Sequence, residues 1–322
     1  MEMLEQEMPF VAPQQAKSAQ LKAAAKLESA AGARRKEHAL AYLFLAPSLL
    51  IFGIFLFYPL LKSVYLSLHL TDPRGRVAEF VGLSNYKNLL GSTAFWNSLK
   101  VTALFTLLTV PAGIALGLIA ASLTYSSLRF MRLFRFVFSL PLAISVSTAS
   151  VIWMMLFHPT LGMFNYFLAA AGLSPVQWLT DPTYALLSVA AMTVWMHSGF
   201  NFIVLLSGLQ GISQDIYDSA KIDGSGPFRT FVRIIVPLLS PTVFFLVIVS
   251  VIGAFQSFGQ IHILTKGGPA GSTEVFVYSI YKEAFMNYQF GTGSAMALVL
   301  FAIILILTVI QFTVLEKKVH YQ

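Results

Sequence analysis

The sequence has no cysteine and few charged residues. Of its 322 residues, only 11% are charged and 57% are hydrophobic, whereas roughly a quarter of the residues in soluble globular proteins are charged. Without cysteine, the chain cannot form disulfides, Cys-based zinc sites or iron–sulfur clusters. The composition also excludes an ordinary soluble globular protein. The chain therefore belongs to the membrane-protein class.

A nucleotide-binding loop is also missing from the sequence. A Walker A loop follows the pattern G-x-x-x-x-G-K-[ST], in which backbone N–H groups surround the phosphates. The most similar stretch, residues 267–273, has no lysine after its glycine. The net charge of +7 is not taken as a nucleic-acid signal, because basic residues beside apolar runs are topology signals. We therefore predict no ATP hydrolysis, no cofactor, no metal site and no nucleic-acid partner for this chain.

Long apolar segments are what the sequence has in abundance. The hydrocarbon core of a bilayer is about 30 Å thick, and about 20 mostly apolar residues are needed to cross it as a helix. Six segments meet this length, at residues 41–61, 101–123, 134–157, 184–206, 237–258 and 294–315. We predict an all-α membrane protein with six transmembrane helices in residues 40–322. Residues 1–39 are predicted to be a tail without the apolar core of a signal peptide.

The basic residues are distributed unevenly between alternate loops. Fourteen of the 21 Lys and Arg residues lie on one side of the predicted spans: Lys17, Lys22, Lys26, Arg34, Arg35, Lys36, Arg129, Arg132, Arg135, Lys221, Arg229, Arg233, Lys317 and Lys318. Loops rich in Lys and Arg stay in the cytoplasm. We therefore expect both termini, and the loop that contains Lys221, to be cytoplasmic.

A polar stretch interrupts the apolar pattern between the fourth and fifth spans. In this stretch, residues 212–241, Ser213 can cap a short helix, and Asp223-Gly224-Ser225-Gly226 has the composition of a sharp turn. Pro227 suits the first position of a second helix. The sequence therefore predicts a two-helix unit at the membrane surface, called the knob below.

The knob resembles the EAA signature of ABC importer permeases. The matching positions are Asp218-Ser219-Ala220 for E-A-A, Asp223-Gly224-Ser225 for D-G-A, and then Phe231, Ile234, Pro237 and Pro241 at the family's spacings. Three of them depart conservatively, with Asp at 218 and Ser at 219 and 225. An amphipathic connector would explain the helical spacing but not so many matched positions. The resemblance implies that the knob docks on a cytoplasmic ATPase, with Asp218, Ala220 and Lys221 at the contact, Gly224 in the turn, and Phe231, Ile234 and Pro237 fixing the knob to the bundle.

Two further stretches resemble sugar-type permeases of the same family. Residues 80–86, FVGLSNY, match one of them, and residues 264–269, LTKGGP, match the other. The resemblance implies a MetI-like permease fold in a bacterial or archaeal plasma membrane. It also implies import of a sugar or a glycerol 3-phosphate-like solute. The implied partners are membrane lipid, a second permease, two ATPase subunits that bind ATP and Mg²⁺, and an extracytoplasmic binding protein.

Polar residues inside the spans are the candidates for a solute pathway, because polar groups in lipid tend to face a cavity. Our candidates are Ser147, His197, Asn201, Gln256 and Gln260. His197 and Asn201 are four residues apart and share one helix face. A helix-to-helix hydrogen bond would explain each of them equally well. The alternative function is an ion-coupled secondary transporter, for which we expect an acidic residue deep in a span; the sequence has none there.

Overall fold

The computed structural model describes residues 40–125 and 131–316. The predicted tail of residues 1–39, Arg129 and the pair Lys317-Lys318 lie outside the described residues. The chain divides into two compact units, Met1–Lys62 and Ser63–Gln322. The first unit contains most of helix α1, Leu40–Ser67, which includes a π-helical turn at Gly53–Phe57.

A small β-hairpin follows helix α1 in the second unit, and the rest of the described chain is mostly helical, as predicted. Strands β1, His69–Thr71, and β2, Val77–Phe80, pair antiparallel. The Asp72 carboxylate closes the connection by accepting hydrogen bonds from the backbone N–H groups of Arg74 at 3.0 Å and Arg76 at 2.7 Å. This is the usual action of Asp in a turn. The hairpin thus comes directly from the turn residues of its sequence.

Twelve numbered helices in the described residues, α2 to α13, follow the hairpin. Their bounds are α2 Ser84–Gly91, α3 Thr93–Thr124, α4 Met131–Ser139, α5 Val146–Leu156, α6 Met163–Ala170, α7 Pro182–Gln210, α8 Gln214–Ile222, α9 Pro227–Thr230, α10 Ser240–Phe255, α11 Gly259–Leu264 and α12 Phe276–Tyr281. Helix α9 continues through a π-helical turn, Phe231–Ile235, and a short helical segment, Val236–Leu238. After α12 come a π-helical turn, Lys282–Met286, and a last helix, α13, Phe290–Ile310, which ends in another π-helical turn, Gln311–Leu315.

Five helical segments of the described residues are long and apolar enough to cross a membrane. They are Leu40–Ser67, Thr93–Thr124, Pro182–Gln210, Ser240–Leu264 and Phe290–Val314. They overlap the first, second, fourth, fifth and sixth spans predicted from the sequence. The membrane-protein prediction is thereby confirmed, although the observed helices begin and end several residues away from the predicted limits.

The third predicted span, residues 134–157, is not one straight helix. Helix α4 with its 3₁₀ turn, Leu140–Ala143, meets α5 at a bend of 104°. Pro141 disfavours α-helical backbone at the preceding residue, and Ile144 is extended, with φ −96° and ψ 131°. Ser145 then starts a new helix, because its hydroxyl oxygen accepts a hydrogen bond from the Thr148 N–H at 3.2 Å. The apolar run is therefore a broken pair of helices.

The core of the second unit is built around α3 and α7, the pair of helices with the most extensive mutual contact. Glycines allow the two helices to approach closely. A Cβ atom on Gly117 would lie 2.7 Å from the Asn201 Cβ, and one on Gly113 would lie 3.1 Å from the Asn201 Nδ2. Small residues serve this purpose where helices pack in membranes. The fully buried large side chains of the unit include Phe105, Met192, Phe202, Leu205, Leu246, Ile261 and Tyr278.

Candidate functional site

The first helix of the knob is α8, and its two ends are set by its sequence. The Ser213 hydroxyl oxygen accepts a hydrogen bond from the Asp215 N–H at 3.3 Å, so Ser213 caps the helix as predicted. In the exposed second half of the helix, Lys221 Nζ lies 3.0 Å from Asp218 Oδ1. The hydrogen bond from Lys221, followed by one from Gln214, lowers the pKa of Asp218. Asp218 and Lys221 therefore present one charge of each sign on the exposed surface of the knob.

The turn between the two arms of the knob requires a glycine. The Ser225 N–H donates to the Ala220 carbonyl and the Gly224 N–H to the Lys221 carbonyl, each at 3.0 Å. This pair of bonds is a Schellman motif, which places the residue at Gly224 in the left-handed region. The φ of Gly224 is +69°. The predicted turn is confirmed, and its geometry explains the glycine.

The second arm starts at Pro227, directly after Gly226, as the sequence predicts. The Thr230 hydroxyl donates to the Ser225 Oγ at 2.9 Å, which ties this arm to the turn. The arm then passes through the π-helical turn into α10. The knob is thus two short helices closed on each other by backbone and side-chain bonds.

Three residues predicted to hold the knob on the bundle, Phe231, Ile234 and Pro237, are half-buried. Phe231 and Ile234 pack against the main core cluster. The most deeply buried residues here are two that were not among those predicted to fix the knob, Ile235 with 2% and Leu239 with 1% of its surface exposed. Their apolar character and their helical spacing from Phe231 were the available signals.

The exposed surface of the knob differs from the expected one. Asp218, Ser219, Lys221 and Asp223 are exposed as a docking surface requires, but Ala220 is only 4% exposed. Its methyl group is buried, so Ala220 does not belong to the exposed surface on which the sequence analysis placed it. Two apolar side chains that were not predicted project outward instead. Ile222 is 86% exposed and Phe228 is 80% exposed, and they stand on either side of the Gly224 turn.

A second candidate site lies inside the bundle, where polar side chains from three helices meet. His197 and Asn201 of α7 line a small cavity, and Thr193 lies one turn before them on the same face. Thr109 of α3 and Ser250 of α10 complete the polar lining. The cavity has a volume of about 10 Å³, which is roughly the space for one water molecule. The structure thus brings together two of the predicted pathway residues.

The other predicted pathway residues are placed differently. Gln260 is 3% exposed and does not line the cavity, but its Nε2 donates a hydrogen bond of 3.4 Å to the Oγ1 of the lining residue Thr193. Ser147 and Gln256 are exposed and do not line this cavity. Sequence reasoning missed Thr193, although its spacing of four residues from His197 is the same signal that paired His197 with Asn201.

A family model and several known proteins match this chain. A family model described as "Binding-protein-dependent transport system inner membrane component" matches residues 113–321. The sn-glycerol-3-phosphate transport system permease protein UgpA of Agrobacterium fabrum is 36% identical over 285 residues, which cover 88% of this chain and 96% of that protein. UgpA of Rhizobium meliloti is 35% identical with the same coverage.

The fold also has a match among solved structures. A chain in the crystal structure of a bacterial alginate ABC transporter, in complex with a periplasmic protein bound to an alginate pentasaccharide, has a TM-score of 0.77 to this chain. The two are 21% identical, and the match covers 89% of this chain and 98% of the other. At this identity, the likeness shows the fold.

Proposed function

Because the chain belongs to the family of binding-protein-dependent transport system inner membrane components, we propose that it is one permease subunit of an ABC importer for a carbohydrate or a glycerol 3-phosphate-like solute. The observation that carries this proposal is the knob. It is a closed pair of short helices with an exposed apolar and charged surface, and it lies within the residues that match the family model. Such a unit has the form of a docking element that transmits a movement to the spans.

In this proposal, partner subunits supply the energy for transport. Two ATPase subunits bind ATP and Mg²⁺, since the chain itself has no Walker A loop. The knob and both termini face the cytoplasm, as the basic residues predict. A second permease completes the membrane part, and an extracytoplasmic binding protein delivers the solute. The membrane is the bacterial inner membrane.

The contact with the ATPase is made by the exposed side chains beside the Gly224 turn. Ile222 and Phe228 provide apolar area, and large apolar side chains exposed together mark interaction sites. Asp218 and Lys221 flank them with one charge of each sign. When the ATPase pair closes on ATP, the knob moves and the spans rock between inward and outward openings.

A test of the contact uses Ile222→Ser and Phe228→Ser, alone and together. We expect less ATPase to co-purify with the variants, because each change removes apolar area from the contact, while the amount of chain in the membrane stays the same. The matched control is Leu161→Ser, since Leu161 is 87% exposed but lies far along the chain from the knob. Normal recovery of the ATPase with the double variant would contradict the assigned contact.

In this proposal the polar groups of α3, α7 and α10 line the solute pathway, and in this conformation they enclose room for only about one water molecule. The lining offers hydroxyl, amide and imidazole groups but no Lys or Arg among the residues described there. These groups suit the hydroxyls of a sugar or a polyol. A phosphate would ordinarily take a fixed cation as its partner, and the second permease would then have to supply that cation.

The solute class is tested by ATP-dependent uptake into vesicles that contain the assembled transporter. A labelled neutral oligosaccharide is compared with labelled sn-glycerol 3-phosphate, the compound in the names of the relatives. Uptake of either compound supports the proposed class. Uptake of neither by an assembly that hydrolyses ATP, together with uptake of an unrelated solute, would contradict it.

An ion-coupled secondary transporter is the alternative that the sequence raised. It would need a membrane-embedded acidic group, and none of the spanning helices in the described residues carries Asp or Glu. The family of this chain consists of components of binding-protein-dependent systems. Uptake that follows an imposed ion gradient in vesicles without ATP would favour the alternative.

A further inference from the structure

A cavity of about 350 Å³ lies at the base of the knob, apart from the polar cavity between the spans. One side is formed by α8 and the second arm of the knob, and the other side by the ends of α3 and α7. Pockets that bind small molecules usually have volumes of about 300–1,000 Å³ and mostly apolar walls with a few polar groups. The cavity is therefore large enough for a small organic ligand.

The interior of this cavity is mostly apolar, and its lining also includes the hydroxyl groups of Ser122, Ser225 and Thr230. Leu209 and Ile235, each 2% exposed, form its floor. Its walls include Phe231 and the stacked rings of Tyr125 and Tyr217, whose centroids are 5.6 Å apart. Apolar surface of this kind gains free energy when it is covered and water leaves. The walls therefore favour an apolar chain or ring.

The mouth of the cavity carries an ion pair, because Lys221 of the lining is bonded to Asp218. Lys221 is the one side chain with a full charge among the described residues that line it, and no Asp or Glu lines it there. Lys221 is paired with Asp218, but both side chains are largely exposed, at 72% and 54%, and such surface pairs are weak. An ammonium group has three donor hydrogens. Lys221 can therefore bind a second anionic group at the mouth.

We propose that this cavity binds a small anionic amphiphile, such as a medium-chain carboxylate. The apolar chain packs on Leu209 and Ile235, and the carboxylate accepts a hydrogen bond from Lys221. One bound molecule contacts both the knob and the ends of the spans, so it holds the knob in one position and lowers solute-stimulated ATP hydrolysis. This consequence, unlike the binding itself, rests on the coupling role proposed above.

The absence of cysteine from the chain permits a direct test in membranes that hold the chain without its ATPase, where the knob surface is uncovered. Ser122→Cys places a single thiol in the cavity lining, and Ser219→Cys places one on the exposed face of the same knob, outside the lining. The rate of modification by a maleimide is measured with decanoate, with decanol or with neither. Decanol has the same chain without the charge.

We expect decanoate to slow modification of the Ser122→Cys thiol about fivefold at a concentration about four times its dissociation constant. The Ser219→Cys thiol should react at an unchanged rate, and decanol should protect much less. Adding Lys221→Gln to Ser122→Cys should abolish the advantage of decanoate over decanol, because the cation at the mouth is gone.

Several results would overturn the proposal. These are equal slowing at both cysteines, no slowing at either, equal protection by decanol and decanoate, or an advantage of decanoate that survives Lys221→Gln. A Ser122→Cys thiol that does not react even without amphiphile would show that the cavity is closed to small molecules. The labelling needs no ATP, so a failure of binding is distinguished from a failure of coupling, which is read separately as ATP hydrolysis with and without decanoate.

Discussion

Replacing Gly224 tests whether the backbone of the knob turn is needed for coupling. The φ of Gly224 is +69°, and an added Cβ would meet nothing within 4 Å. Gly224→Ala therefore introduces no clash, and its cost is the backbone strain of a left-handed alanine, about 1–2 kcal/mol. A matched control lies two residues away. Gly226 also has open space around it, but its φ of −66° suits any residue.

The strain in Gly224→Ala translates into a change of population. A destabilisation of about 1–2 kcal/mol lowers the ratio of the native turn to opened forms by a factor of about 5–30. Activity follows the fraction of native turn, so we expect solute-stimulated ATP hydrolysis and uptake to fall by at most this factor, with the subunit still in the membrane. Gly224→Asn should lose less, because Asn tolerates the left-handed region better than Ala. Gly224→Asp should also uncouple transport, because it adds a charge at the docking surface to the strain at this position.

The assay compares solute-stimulated ATP hydrolysis and uptake in vesicles that contain equal amounts of each variant. Gly226→Ala should behave as the unchanged chain. Equal activity of Gly224→Ala and Gly226→Ala would refute the reasoning, because the two variants differ only in the backbone conformation that they must adopt. A loss in Gly226→Ala as large as that in Gly224→Ala would refute it equally.

Two further predictions concern the bundle. Gly117→Ala should lower the temperature of thermal unfolding, because its Cβ would lie 2.7 Å from the Asn201 Cβ and force α3 and α7 apart. The control Gly253→Ala, with nothing within 4 Å of its Cβ, should leave that temperature unchanged or raise it. Equal shifts in the two variants would contradict the packing argument. His197→Ala should lower uptake by about tenfold, because the loss of one hydrogen bond to the solute costs roughly 1.4 kcal/mol. The control Thr313→Ala, on the exposed end of the last helix, should not change uptake. Unchanged uptake in His197→Ala would remove this residue from the pathway.

The knob could be predicted from the sequence because its signals are local. A cap such as Ser213 and a left-handed glycine such as Gly224 act within a few residues, so the pattern of the chain contains them. The exposure of a side chain, in contrast, is not determined by its neighbours in the sequence alone. The inward position of Ala220 and the outward positions of Ile222 and Phe228 depend on how α8 is rotated on the bundle, which helical spacing alone does not determine.

The bend in the third span shows a different reason for a missed prediction. Apolar composition predicts that residues 134–157 lie in the membrane, but it does not show whether they form one straight helix or two helices with different axes. Pro141 and Ser145 were present as breaking and capping signals, and greater weight on them would have indicated two helices. The hairpin was missed in the same way, since Asp72 and Gly75 are turn residues in a loop that was treated as one piece.

The exposure of Ile222 and Phe228 also bears on how the cell handles an unassembled copy. A subunit made in excess presents these side chains to the aqueous phase, and chaperones and proteases recognise exposed apolar surface of this kind. Its lifetime should then depend on the supply of the protein that covers them. The subunits would then have to be made in balanced amounts so that Ile222 and Phe228 are covered.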